Sequence, residues 1–333
     1  MDEVRNTQAG TGSSHPRKRW WLRGVKLVIV AAVVVGIGHF VRGAINDLSE
    51  TGFSLGQIDG RWMALSAVTY VLGMLPAGLF WHAVLHAVGQ NPGWFETLRA
   101  YFIGHLGKYV PGKAMVVVLR AGLIGSQRVD RTTAAVTVFT ETLTQMAVGA
   151  AIAAVIIAIR FSHHWQLMMV AIFLAVCAGL PTVPSIFRKL VVLLKVAKWS
   201  PEIDQRLQGV RLSVIAYGWC ANLVGWFILG FSLWAAIRAL PGTAEVVPWG
   251  WENHLLVTAA VALAVVSGFL SLLPGGMGVR ELVLISLLAH ELNLGDLRAV
   301  VATVAVRLAW LLAELTVAGL LWWSRYHSSV SSD

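Results

Sequence analysis

Long apolar runs separated by short polar segments dominate this chain. After a polar start, the first apolar run ends at about Val41. The later runs cover about 62–82, 132–159, 165–187, 211–239 and 299–323. A helix of about 20 apolar residues crosses the ~30 Å hydrocarbon core of a bilayer. The pattern therefore predicts about six full transmembrane helices.

Two further apolar regions, 94–126 and 254–291, are interrupted by Pro-Gly, in YVPGK at 109–113 and LLPGGMGVRE at 272–281. The pieces that flank the first break, about 15 residues each, are too short to span comfortably. Irregular backbone is tolerated at membrane depth only where protein or a water-filled cavity covers it. We therefore predict two re-entrant hairpins, and their expected tips are Pro111, Gly112, Pro274, Gly275 and Gly276.

Composition excludes the soluble and disordered classes. Of the 333 residues, 57% are hydrophobic and only 13% are charged, against a usual charged fraction of ~25%. A soluble surface needs more charge than this, and a disordered chain needs less apolar content. The predicted fold is an all-α polytopic membrane protein.

The net charge of +9 would suggest nucleic acid in a soluble protein. In a membrane protein, Lys and Arg collect instead in cytoplasmic loops. Most of the basic residues fall on one side when the amino terminus is placed inside. We therefore expect both termini to be cytoplasmic, the location to be the inner (cytoplasmic) membrane, and no nucleic-acid partner.

The chain divides into two halves of the same order. Between tails at 1–19 and 326–333, the domain at 20–325 splits into halves at about 20–160 and 165–325. The predicted order in each half is helix, helix, hairpin, helix, but the second half starts on the opposite side of the membrane. Inverted repeats with broken helices are typical of secondary transporters, whose site lies at the repeat interface.

Signatures of enzymes are missing from the sequence. It contains no HExxH, GxSxG or Walker-type motif, so we expect neither an enzyme nor ATP hydrolysis. Cys177 and Cys220 lie in apolar runs and suggest no zinc site or disulfide. His82 and His86 share a helix face but lack a third ligand, so neither a metal nor a cofactor is expected.

Ionisable residues at membrane depth carry the chemical signal. They are Glu141, Arg280, Glu281, Arg307 and Glu314. Burying each costs at least about 2.5–3.5 kcal/mol, so together they indicate an internal polar cavity. A structural role stays open for them, because Arg307 and Glu314, two turns apart, could neutralise partners on neighbouring helices.

Basic residues also lie near both Pro-Gly breaks. A helix that starts within the membrane presents unpaired N–H groups and a partial positive charge, which favour phosphate or carboxylate. The alternative is a simple turn with lysines that snorkel to the interface. We predict a headgroup site of Lys108, Lys113, Arg120, Arg280 and Arg307, with charge balance or coupling by Glu141, Glu281 and Glu314.

The same motifs carry a family resemblance. GKYVPGK at 107–113, Arg120, FTETLTQ around Glu141, SLLPGGMGVRE at 271–281 and Arg307 resemble the flippase-like transmembrane domain of lysylphosphatidylglycerol synthases. The similarity spans about residues 20–325. It implies a helical bundle with re-entrant elements that moves a lipid between leaflets.

The resemblance also limits the expected activity. In two-domain members a soluble domain attaches lysine to phosphatidylglycerol, and nothing of that length follows residue 325. We therefore do not predict lipid aminoacylation. Stand-alone members resemble partners of glycolipid or hopanoid pathways, so the resemblance implies a lipid-modifying enzyme as a partner but does not identify the lipid.

Three functions remain in order of preference. The first is a translocase for a phospholipid or a related anionic or aminoacylated lipid, acting as a monomer or homo-oligomer. The second is a secondary transporter of a small soluble anion, which would need a closed vestibule rather than a groove open to the bilayer. The third, a membrane-embedded glycosyl or acyl transferase, finds little support in Asp47, Glu50 and Asp59.

Overall fold

A computed structural model describes residues 55–110, 114–125, 128–160, 165–193, 202–271 and 273–330, together with the isolated positions 31, 35 and 42. Within these residues the fold is helical. The α-helices are α1 (Gly60–Ala87), α2 (Trp94–His105), α3 (Ala114–Ile124), α4 (Arg131–Arg160), α5 (Trp165–Gly179), α6 (Pro184–Leu193), α7 (Ile203–Leu207), α8 (Leu212–Arg238), α9 (Trp251–Leu270), α10 (Val279–His290) and α11 (Asp296–Val330). Short 3-10 turns cover Leu55–Gln57, Leu106–Tyr109, Leu180–Thr182 and Pro274–Gly276.

Five of these helices, α1, α4, α8, α9 and α11, are long and apolar enough to cross a membrane. The prediction of an all-α polytopic membrane protein is therefore confirmed. The predicted tail at 1–19, nearly all of the apolar run that ends at Val41, and the last residues, 331–333, lie outside the described residues. Helix α11 continues through Val330, past the point where the carboxyl-terminal tail was expected to begin.

The single span predicted over 165–187 is divided in two. Helix α5 ends at Gly179, a 3-10 turn follows, and α6 begins at Pro184. Pro181 and Pro184 cause this break, because proline lacks an N–H and clashes with the preceding helical turn.

Both Pro-Gly regions fold into pairs of helices that pack against each other, α2 with α3 and α9 with α10. Helices α2 and α3 have 12 and 11 residues, too few to cross the hydrocarbon core at 1.5 Å per residue. Helix α9 has 20 residues and is long enough to cross by itself. The re-entrant path of the hairpins stays a prediction.

Helices α1 and α8 form the centre of the bundle and run antiparallel. They approach most closely at Gly73 and Gly225, where a Cβ on Gly225 would lie 2.8 Å from the Gly73 carbonyl oxygen. On one side of this crossing Ser66 Oγ lies 3.1 Å from Ser232 Oγ. Small residues allow this approach, as is usual between membrane helices.

The outer helices surround this centre in matching pairs. Helix α4 packs on α8 and α9, and α11 packs on α1 and α2. The last helix of each predicted half therefore contacts the central helix and the Pro-Gly helix pair of the other. This arrangement brings both hairpins to the middle of the molecule.

Candidate functional site

The two Pro-Gly breaks lie side by side. The turn Leu106–Tyr109 contacts the turn Pro274–Gly276. Gly275 and Gly276 have φ angles of 60° and 71°, a conformation that glycine adopts without strain. A Cβ on Gly276 would also lie only 2.8 Å from Gly268 Cα in α9. Glycine is therefore required here for both the turn and its packing.

A cavity of about 320 Å³ lies where the two hairpins meet. Its walls carry three of the predicted headgroup residues, Lys108, Arg120 and Arg280, together with His105. Helices α3, α4 and α9 supply mostly apolar walls. Three other predicted residues, Pro111, Gly112 and Lys113, lie outside the described residues. The predicted tips Pro274, Gly275 and Gly276 form the second turn.

The rim of the cavity is apolar and exposed. Phe139 on α4 and Leu273 beside the second turn both line the cavity, and they are 50% and 46% exposed. In a membrane protein, exposed apolar side chains face lipid tails rather than water. The cavity therefore places a few basic side chains among mostly apolar walls, next to an exposed apolar edge.

Arg120 and Glu141 form the most deeply buried ion pair of the site. Arg120 Nη1 lies 2.6 Å from Glu141 Oε2, and the residues are 2% and 0% exposed. The guanidinium also lies 4.1 Å from the ring centroid of Tyr101. Gly104 makes room for this side chain, because a Cβ there would lie 2.4 Å from Arg120 Cγ.

Glu314 is the centre of a second cluster. Its carboxylate accepts hydrogen bonds from the Tyr70 hydroxyl, from Lys108 Nζ at 2.5 Å and from the Tyr109 hydroxyl at 3.1 Å. His105 Nε2 lies 3.0 Å from Lys108 Nζ and 3.7 Å from Glu314 Oε1. Helix α11 is thereby tied to α1 and to the first hairpin.

Two turns earlier on α11, Arg307 contacts the second hairpin. Its Nη2 lies 3.1 Å from Glu281 Oε1. The other carboxylate oxygen, Glu281 Oε2, accepts a hydrogen bond of 2.8 Å from the Gly278 amide at the start of α10. One of the free N–H groups expected at this helix start is therefore occupied by the chain itself.

Arg280 remains as the unmatched cation of the cavity. Each of the three predicted acidic residues contacts a different cation: Arg120, Arg307 or Lys108. In the part of the chain that the structure describes, no carboxylate pairs with Arg280, and its buried Nε has no hydrogen-bond partner. The described site thus holds one more positive than negative group.

Sequence reasoning missed the aromatic members of the site. Tyr70 stacks on Trp310 with centroids 4.7 Å apart, and its hydroxyl binds Glu314. A sequence signal for further site residues exists near Lys108. His105 precedes Lys108 by one helical turn and Tyr109 follows it directly, so both could have been added to the predicted site. Nothing in the apolar run around Tyr70 or Tyr101 distinguishes these residues from packing aromatics.

The histidine pair has a structural explanation. His82 Nδ1 lies 2.9 Å from Thr97 Oγ1, and His86 Nε2 lies 3.3 Å from the Pro92 carbonyl oxygen. The described residues contain no group of three His, Cys, Asp or Glu that could hold a metal ion.

Comparison with known proteins identifies the family of this chain. Curated proteins gave no match to this chain. The family model for the lysylphosphatidylglycerol synthase TM region matches residues 21–321, which include both hairpins, the cavity and all three ion pairs. The family resemblance carried by the two Pro-Gly motifs is therefore confirmed, and the chain belongs to the lysylphosphatidylglycerol synthase transmembrane-region family.

Proposed function

We propose that this protein is a lipid translocase that moves an anionic phospholipid, or a related lipid, between the leaflets of the cytoplasmic membrane. The observation that carries the proposal is Arg280, which lines the cavity between the hairpins and has no carboxylate partner among the described residues. A charge that lines a cavity with mostly apolar walls is costly when it has no partner. A lipid phosphate would supply the missing negative charge and bind through charge-assisted hydrogen bonds.

The rim of the cavity supports a lipid over a small soluble anion. Phe139 and Leu273 are exposed where they line it. Acyl chains can stay in the bilayer beside such an edge while the headgroup lies against the basic side chains of the cavity. A carrier for a soluble anion would need a closed, polar entrance instead.

The arrangement of the helices supports a transporter built from two inverted halves. Helices α1 and α8 hold equivalent places in the two halves and run antiparallel. The contacts of α4 with α8 and α9 correspond to those of α11 with α1 and α2. Alternate exposure of the two hairpins would then carry the headgroup across, as in other inverted-repeat transporters. The proposed activity makes and breaks no covalent bond.

The test is lipid exchange in vesicles that contain the purified protein. Phosphatidylglycerol with a fluorescent headgroup label is placed in both leaflets, and a membrane-impermeant quencher reports how fast the inner pool reaches the outside. We expect wild-type protein to speed this exchange and Arg280→Gln to abolish most of the gain.

The control is Arg61→Gln. Arg61 is exposed at the start of α1, about two and a half helical turns before Tyr70, where that helix lines the cavity. It should exchange lipid like the wild type. An active Arg280→Gln variant, or a wild type that does not exceed empty vesicles, would refute the proposal.

A further inference from the structure

We propose that Glu314 takes up a proton when an anionic headgroup binds, so that each anionic lipid moves together with one proton. This inference rests on the translocase function proposed above and adds its coupling ion. It follows from the way Lys108 is shared between the carboxylate and the cavity.

The first argument is the setting of Glu314. It is 5% exposed in an apolar membrane-spanning helix, and a carboxylate there stays charged only while donors stabilise it. Its donors are the hydroxyls of Tyr70 and Tyr109 and the ammonium of Lys108. Lys108 is the only full positive charge among them.

The second argument is the position of Lys108. Its side chain lines the same cavity as Arg280 and is 18% exposed. A phosphate bound to Arg280 would attract the Lys108 ammonium, which sits on a flexible four-carbon stem. The phosphate and Glu314 therefore compete for one cation.

The consequence for Glu314 follows from charge balance. When Lys108 turns to the phosphate, the donors left to the carboxylate within the described ranges are two neutral hydroxyls, in a poorly solvated place. Taking a proton from water then becomes the cheaper state. His105 lies between the cavity and the carboxylate, 3.7 Å from Glu314 Oε1, and is placed to pass that proton.

The other charged groups around Glu314 do not replace Lys108. Among the described residues, Arg280 is on the second hairpin, and Arg307 on α11 is already paired with Glu281. A monoanionic lipid and one proton together leave the net charge of the site unchanged. Transport should therefore respond to a pH gradient and hardly to membrane potential.

The binding experiment uses purified wild-type protein in weakly buffered detergent with a pH-indicator dye. The probe is dioctanoyl phosphatidylglycerol, whose phosphodiester does not titrate near neutral pH. We expect about one proton taken up per lipid bound, and an affinity that rises up to about tenfold for each unit fall in pH, as one linked proton requires.

Glu314→Gln imitates the protonated residue. It should bind the lipid without proton uptake and with an affinity that does not depend on pH. The matched control is Glu252→Gln, an exposed acid at the start of α9, which should keep the wild-type proton uptake. If Glu314→Gln does not fold, the pH dependence of wild-type affinity decides the question by itself.

The outcomes separate this inference from the translocase proposal. Lipid exchange that ignores an imposed pH gradient, with binding that takes up no proton, refutes proton coupling and leaves translocation intact. Proton uptake that persists in Glu314→Gln also refutes it. A wild type that neither binds nor exchanges the lipid refutes the translocase proposal, and the coupling inference with it.

Discussion

The pairs Arg120–Glu141 and Lys108–Glu314 have the same formal charges but different surroundings. Arg120 is buried, stacked against Tyr101 and held at 2.6 Å from Glu141. Lys108 is at the tip of a hairpin, partly exposed to the cavity and within 3.0 Å of His105. The first cation is fixed by packing on several sides, whereas the second can leave its partner at little steric cost.

This difference separates two roles that sequence alone treats alike. The buried pair joins α3 to α4 and stabilises the wall of the cavity. The Lys108–Glu314 pair joins α11 to the first hairpin, which would move in the proposed mechanism. The role of an ionisable residue at membrane depth therefore depends on how firmly its partner is held, and not only on whether a partner is present.

The largest expected effect is on stability when each acid is neutralised. Glu141→Gln leaves the Arg120 guanidinium buried without a counter-charge, and we expect a loss of about 3–5 kcal/mol in the free energy of unfolding. Glu314→Gln should cost about 1–2 kcal/mol, because Lys108 can reach the cavity and the amide still accepts hydrogen bonds. Unfolding by denaturant in detergent micelles measures both.

A double variant checks the cause of the larger loss. Arg120→Met combined with Glu141→Leu removes both charges and should recover most of the stability. The comparison between the two pairs fails if Glu314→Gln costs more than Glu141→Gln.

The next effect concerns the space that Arg120 needs. Gly104→Ala places a Cβ against the Arg120 side chain, and such overpacking costs typically about 1–3 kcal/mol. Gly122→Ala on α3 is the matched control, because a Cβ there meets nothing within 4 Å. It should be neutral or gain up to about 1 kcal/mol from better helix propensity. Equal stability of the two variants would mean that Arg120 is not held as described.

These residues also mark how far the sequence predicts the site. Apolar runs predicted the long helices α1, α4, α8 and α11, and the Pro-Gly breaks predicted the two helix pairs, since each reflects a local physical requirement of the chain. The meeting of the two tips, and the pairing of Glu314 with Lys108, depend on packing between distant segments. The division at Pro181 and Pro184 had a local signal, which the apolar character of 165–187 obscured.

The smallest effect is at Asp130, which precedes α4 and so helps to place Glu141. Burial favours a higher pKa for this carboxyl, but hydrogen bonds from Thr133 and the charge of Arg206 outweigh it and leave the pKa below its ordinary value. A lowered pKa stabilises the fold near neutral pH, and this contribution is lost as the pH falls through the folded-state pKa.

Asp130→Asn should therefore remove a small part of the stability lost on acidification. Since the side chain is 44% exposed, solvent screening limits the effect to about 0.5 kcal/mol. Unfolding of both proteins at neutral pH and at about pH 3 measures it. A variant that loses as much stability on acidification as the wild type would show that Asp130 contributes nothing.

The most direct test of the central claim is an experimental structure of the protein in a lipid nanodisc with dioctanoyl phosphatidylglycerol. We predict the phosphate in the cavity between the hairpins, within about 3 Å of the Arg280 guanidinium, with Lys108 turned away from Glu314 and towards the lipid. A phosphate bound elsewhere, with the cavity occupied only by water and Arg280 paired to a carboxylate of the chain, would contradict the account.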